Sequence, residues 1–159
     1  LANAQVSFEV PQGDELAARL SSVLEVVYLI FNEGYSATTG DEWMRPALCE
    51  EALRLGRILI LARLAPREPE VHGLVALMEI QASRAAARTG PGGEPILLAD
   101  QNRARWDQLL IRRGLAALER AEALIDGEPG SYVLQAAIAA CHARARRFED
   151  TNWERIARI

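Results

Sequence analysis

Three observations predict an all-α fold, an irregular tetratricopeptide-like bundle of stacked antiparallel helix pairs. Apolar side chains recur at helical spacing along nearly the whole chain, and no run alternates with the period of a strand. The periodic stretches are separated by short turns, which makes sequential helices antiparallel neighbours. Proline stands just before the second member of two successive pairs, at Pro69 and Pro129, and alanine-rich faces such as Ala136 to Ala140 allow close approach. Unequal helix lengths and a long middle loop break a strict repeat.

The first helix is expected from about Asp14 to Asn32, with Leu16, Leu20, Val23, Val27 and Ile30 on one face. The run Val26-Val27-Tyr28-Leu29-Ile30-Phe31 then breaks into Asn32, Glu33, Gly34 and Tyr35. A helix apolar on every side is buried on every side, and Gly34 reads as its stop. A loop follows to about Trp43. Pro46 suits a first-turn position, so the second helix runs from there to about Leu64, with Leu48, Ala52, Leu55, Leu59 and Ala62 inward.

Pro66 and Pro69 mark a turn. The third helix runs from about Pro69 to Arg88, with Leu74, Leu77, Met78 and Ala85 inward. The Gly/Pro-rich segment Thr89 to Pro95 is a loop, and Ile96 to Ala99 packs down after it without being a strand. The fourth helix is expected from about Asn102 to Ile125, capped by Asp100 or Asn102, with Trp106, Leu110, Leu118 and Leu124 inward. The fifth spans about Ser131 to Arg144. Thr151-Asn152-Trp153-Glu154 is a capping box that opens a sixth. The second and third helices are expected to form one hairpin, and the fourth and fifth another.

The chain has 159 residues, half of them apolar and a quarter charged, as in a single soluble domain with a real core. The longest uncharged apolar run is far short of the ~20 residues of a membrane span, and no basic residue precedes an apolar stretch as in a signal peptide. A net charge of -4 argues against nucleic-acid binding as this chain's main task. All 18 basic residues are arginine, the mark of a high-GC coding bias. Cys49 and Cys141 fall within apolar helical patterns and read as reduced core residues of a cytoplasmic protein. Residues 1–13 read as a linker and residues 14–159 as the helical domain. Both ends read as cut, so a piece of a longer protein is expected.

Two stretches could carry chemistry. A carboxylate at the C-terminal end of a buried helix faces the negative end of the dipole and needs a partner. That concerns Asn32, Glu33 and Tyr35. On the expected fourth helix, Asp100 lies at the start, and Arg103, Trp106, Asp107 and Leu110 share a face. The two groups together make either an internal clamp or a small-ligand pocket near Asn32, Glu33, Arg103 and Asp107. With the clamp, Glu33→Ala would cost about 1–3 kcal/mol.

No catalytic or metal residues are assigned. His72, His142, Cys49 and Cys141 show no closely spaced ligand pair. No phosphate-cradling glycine loop and no nucleophile elbow is present, so no cofactor and no enzymatic activity is expected. The arginines at 103, 105, 112, 113 and 120, and those at 144, 146 and 147, read as a solvated face or a partner-docking surface.

Several motifs occur in a familiar order: Tyr28-Leu-Ile-Phe-Asn-Glu-Gly-Tyr35, Leu48-Cys-Glu-Glu-Ala-Leu-Arg-Leu55, Pro69-Glu-Val-His-Gly-Leu-Val-Ala-Leu-Met78, Asp100-Gln-Asn-Arg-Ala-Arg-Trp-Asp107 and Gln135-Ala-Ala-Ile-Ala-Ala140. The chain resembles, from about Pro11 to Ile159, the C-terminal extension of a group of extracytoplasmic-function (ECF) sigma factors of RNA polymerase. That resemblance implies two sigma domains ahead of residue 1, which would bind promoter DNA. It implies that this tail regulates them by contacting the sigma domains or the polymerase core. Further repeat helices would follow Ile159. Without them the fifth and sixth helices would leave apolar surface open to homodimerisation.

Overall fold

The computed structural model describes residues 14–36, 44–61 and 67–159. The expected linker 1–13, the segment 37–43, and Ala62 and Pro66 lie outside the described residues. Among these residues six α-helices occur: α1 (Asp14–Tyr35), α2 (Pro46–Leu61), α3 (Pro69–Ala82), α4 (Gln108–Leu124), α5 (Ser131–Arg144) and α6 (Trp153–Arg158). Short 3-10 turns stand at Ala85–Ala87, Arg103–Arg105 and Phe148–Asp150. The fold is an all-α bundle, as expected from the periodicity.

α3 is the centre. Its residues Val71 to Ile80 are all buried, including His72 and Glu79. A helix with apolar groups all round has no solvent face to turn outward, so neighbours cover it on several sides. α4, α5 and α2 pack against it, whereas α4 and α5 touch each other only lightly and α1 packs chiefly on α2. The expected α4–α5 hairpin is thus two helices laid side by side on α3.

Glycines let these helices come close. A Cβ on Gly114 of α4 would stand 2.6 Å from Ile80 Cγ1 and 3.1 Å from the Ala76 carbonyl oxygen. A Cβ on Gly73 of α3 would stand 2.8 Å from the Val133 backbone nitrogen of α5. Both distances are below ordinary contact, so backbone sits where side chains usually do.

The N-terminus of α5 has no cap of its own, because Gly130 precedes it. Glu70, in the first turn of α3, supplies the cap across the interface. Its carboxylate accepts from the Tyr132 and Val133 backbone N–H groups at 3.0 and 3.1 Å. The negative charge also meets the positive end of the α5 dipole.

The third helix stops at Ala82 rather than near Arg88, and four further sequence expectations change. First, α1 is not buried on every side. Leu20, Leu24, Val27 and Phe31 face the core, while Val23, Val26 and Leu29 are exposed at 42%, 55% and 65%. The helix lies at the edge of the bundle, with one long contact, so only one stripe is covered. Second, Gly34 is inside α1 rather than at its end. It is buried, and a Cβ there would stand 2.6 Å from the Cys49 backbone nitrogen of α2.

Third, the expected fourth helix is split. Asn102 caps the 3-10 turn by accepting from the Ala104 N–H at 3.0 Å. Asp107 then caps α4 by accepting from the N–H groups of Leu109 and Leu110 at 2.8 and 3.0 Å. Two side-chain N-caps five residues apart in sequence begin first the turn and then the helix, with Trp106 extended between them. Fourth, α6 starts where expected, but Asn152 caps it rather than Thr151, accepting from the Arg155 N–H at 2.8 Å.

Replacing Gly114 by Ala should destabilise the fold by about 1–3 kcal/mol, since α4 must move off α3. Thermal melting checks this, and a melting temperature unchanged within error would refute the close approach.

Candidate functional site

The residues singled out in the sequence come to different places. Asn32 is exposed on α1, and Asp100 is exposed in the loop before the 3-10 turn. Glu33 pairs with Arg45 at 3.0 Å, with both side chains partly open to water. Such a half-exposed pair contributes about 0–1 kcal/mol, so this pair does not carry the cost expected of Glu33→Ala. Among the described residues no hydrogen bond or ion pair joins Asn32 or Glu33 to Arg103 or Asp107. Among the described residues the expected link between the Asn32/Glu33 end of α1 and the Arg103/Asp107 stretch is therefore not seen. Asp107 is spent on its cap, and Arg103 turns to α5.

Tyr35 and Trp106 do belong to one network, through residues the sequence did not single out. Tyr35 stacks on Phe31 with ring centroids 5.5 Å apart. Its hydroxyl donates to Gln81 Oε1 at 3.2 Å and accepts from Arg84 Nη2 at 2.7 Å. Arg84 also donates to Gln81 Oε1. The Arg84 guanidinium carbon lies 5.9 Å from the centre of the Trp106 ring, and that of Arg103 lies 4.6 Å from it. Arg103 Nη1 donates to the carbonyls of His142 and, at 3.0 Å, Ala145, satisfying the C-terminal end of α5. Arg88 lies over the face of Tyr35, 3.5 Å from its centroid, and donates to the Tyr35 carbonyl.

Beside this network is a cleft of about 320 Å³ between α3, α5 and the segment around Leu98 and Trp106. Leu77, Ile80, Leu98, Ile138 and Ala139 make its apolar walls, and Gln81, Arg84, Gln135 and His142 its polar groups. Trp106 forms one wall and is buried; among the described residues its indole N–H meets no acceptor and His142 Nδ1 no partner. A buried polar group without a partner costs about 1–3 kcal/mol, which a fold retains only against some compensating gain.

The strongest ionic contact lies elsewhere. Glu79 of α3, 2% exposed, accepts from Arg57 Nε of α2 at 2.9 Å, and Arg113 Nε of α4 stands 3.5 Å away. The signal for it was a lone acid in an otherwise apolar stretch, Val71 to Ile80. Among the described residues no three His, Cys, Asp or Glu side chains are grouped to hold an ion. No helix among them is long and apolar enough to cross a membrane.

The chain matches, over residues 19–122, the model of a family described as a family of unknown function, DUF6596. It belongs to that family. The match takes in α1 to α3, the Trp106 segment and most of α4. An uncharacterized protein of Rhizobium meliloti (strain 1021) is 47% identical over 156 residues, which are 98% of this chain and 36% of that protein. The chain thus spans about a third of the length of the relative it matches. No solved structure matches it.

Two predictions follow from the buried ions and the histidines. Replacing Arg57 and Arg113 together by Met leaves the Glu79 carboxylate buried alone and should cost about 3–5 kcal/mol. Glu79→Gln should cost less, because both arginines keep access to water. Urea unfolding of the two variants decides the order.

Burial, and then the positive charge of Arg120, push His72 below its ordinary value. Burial, and then Arg103 and Arg84, do the same to His142. Each histidine therefore takes up its proton in the unfolded chain first. Its contribution to stability is present above the unfolded value and is lost as pH falls from there through the lower folded value. The urea midpoint should fall between pH 7.5 and 5.5, and fall less in the double variant His72→Gln/His142→Gln. Equal slopes for the two proteins would refute this.

Proposed function

We propose that this chain is a regulatory, protein-interaction domain of an ECF-type RNA polymerase sigma factor, acting in the cytoplasm and without enzymatic activity of its own. The motif order from Tyr28 to Ala140 supports the sigma-factor assignment by resemblance. The relative's much greater length leaves room for further domains in a protein of this kind.

One observation carries the interaction role. Val23, Val26 and Leu29 of α1 and Ile58 and Leu61 of α2 are large apolar side chains exposed to solvent. Val23, Val26 and Ile58 border a groove of about 370 Å³ between the two helices, floored by Val27, Leu55 and Leu59. A contiguous apolar strip of this kind marks a surface that another protein covers. Its occupant in this proposal is the protein's own sigma domains, with the polymerase core as a further partner and promoter DNA held by the sigma domains. Trp153 of α6 and Ile159, also exposed, are where self-association would occur.

Binding of this chain to its own sigma domains, by titration calorimetry, is the direct test. Val26→Glu and Leu29→Glu should weaken that binding roughly tenfold or more while shifting stability by no more than about 0.5 kcal/mol. If the unaltered chain does not bind, and deleting it leaves promoter transcription unchanged, the proposal fails.

A further inference from the structure

The cleft between α3, α5 and the Trp106 segment has a polar lining of one kind. Gln81 Oε1 is taken by the Tyr35 hydroxyl and by Arg84. Gln135 Oε1 accepts from the Tyr28 hydroxyl at 3.2 Å. The Gln81 oxygen has both lone pairs used and the Gln135 oxygen keeps one, so these side chains offer chiefly N–H. Arg84 adds a positive charge, and no acidic residue lines the cleft. Burial, and then Arg103 and Arg84, push the His142 imidazole below its ordinary value, which disfavours its charged form.

The apolar walls suit hydrocarbon. Leu77 and Ile80 come from α3, Ile138 and Ala139 from α5, and Leu98 closes one side. A volume of about 320 Å³ is at the small end of what ligand sites show, which limits the occupant to a small molecule. Donors and one cation beside an apolar wall complement a group that is anionic, accepts hydrogen bonds and carries a hydrocarbon body.

We propose that this cleft binds a small monocarboxylate with an apolar body, its carboxylate on Arg84 and the carboxamide N–H groups, its hydrocarbon against Ile138 and Leu77. The site is independent of the sigma-factor reading, since it rests on the lining alone. Its position also gives it a route to α1. Arg84 and Gln135 are hydrogen-bonded to Tyr35 and Tyr28 of that helix, so an anion that recruits them draws on contacts that hold α1.

Octanoate and phenylacetate, each against its neutral amide, test this by titration calorimetry on the full chain. At least one acid should bind saturably, and roughly tenfold or more tighter than its amide. Arg84→Gln should remove that preference, and Ala139→Phe, which fills the cleft, should remove binding. A wild-type measurement stands beside the variants: transferred nuclear Overhauser effects from the bound acid should reach the Ile138 and Leu77 methyl groups. Equal binding of acid and amide would overturn the proposal. So would no saturable binding of either acid, or contacts to Val26 and Ile58 in the α1–α2 groove instead.

Discussion

The Glu79 carboxylate, sealed within α3, is the constraint on which the rest of the bundle turns. A charge with 2% of its surface exposed must be met by opposite charge, and the two guanidinium groups that meet it come from α2 and α4. The arginines keep 35% and 44% of their side chains in water, so the desolvation cost falls mostly on one ion rather than on three. Only one rotation of α2 and one of α4 about α3 brings Arg57 and Arg113 to the same oxygen. The same rotations point Gly56 at Val75 and Met78, and Gly114 at Ile80. Charge pairing and close approach therefore select a single arrangement, and Glu70 adds the third neighbour by capping α5.

Much of this was legible along the chain. α5 runs over the expected residues, α3 starts at the expected proline, and α1 and α2 start where the pattern put them. Those are the elements whose ends are set by local chemistry, such as Pro at a first turn or a Gly/Pro turn just ahead. The burial of α1 was not legible. Val26 to Phe31 and Val71 to Ile80 are both apolar runs, and periodicity cannot say which lies in the middle of a bundle and which at its edge. Tertiary order decides that: α3 has neighbours on several sides, and α1 chiefly has α2. The split before α4 was hidden by competition between caps. Asn102 and Asp107 are both good caps, and a helical pattern running through both reads as one helix.

The candidate site shows the same division. Tyr35 and Trp106 do share a network, but the expected link between Glu33 and Arg103 is replaced by Arg84 reaching between them. Arg84 lies just past the end of α3, where the third helix was expected to continue. The α-helical bonding gives way there to a 3-10 turn, where the Ser83 hydroxyl donates to the Ile80 carbonyl at 2.6 Å and the Ser83 carbonyl accepts from the Asp107 N–H at 2.8 Å. Ser83 thus binds the end of α3 to the start of α4, and the arginine after it is turned toward Tyr35 and Trp106. Nothing in the spacing of Ser83 and Asp107 announces that contact, because it spans the Gly/Pro loop.

The position of α1 joins the two surfaces proposed to bind a partner and a ligand. One side of the helix presents Val23, Val26 and Leu29 to solvent; another sends Tyr28 to Gln135 and Tyr35 to Gln81 and Arg84, at the cleft. Two neutral hydroxyl bonds, the arginine bonds to Tyr35 and a cation over its ring are modest attractions, each on the order of 1–3 kcal/mol. Contacts of that size can be exchanged for others at small net cost, whereas the Glu79 centre, with its buried charge, cannot. The bundle is therefore stiff around α3 and adjustable at α1. An edge helix held by exchangeable polar contacts, with an apolar strip facing outward, is where a change inside this domain would reach a partner first.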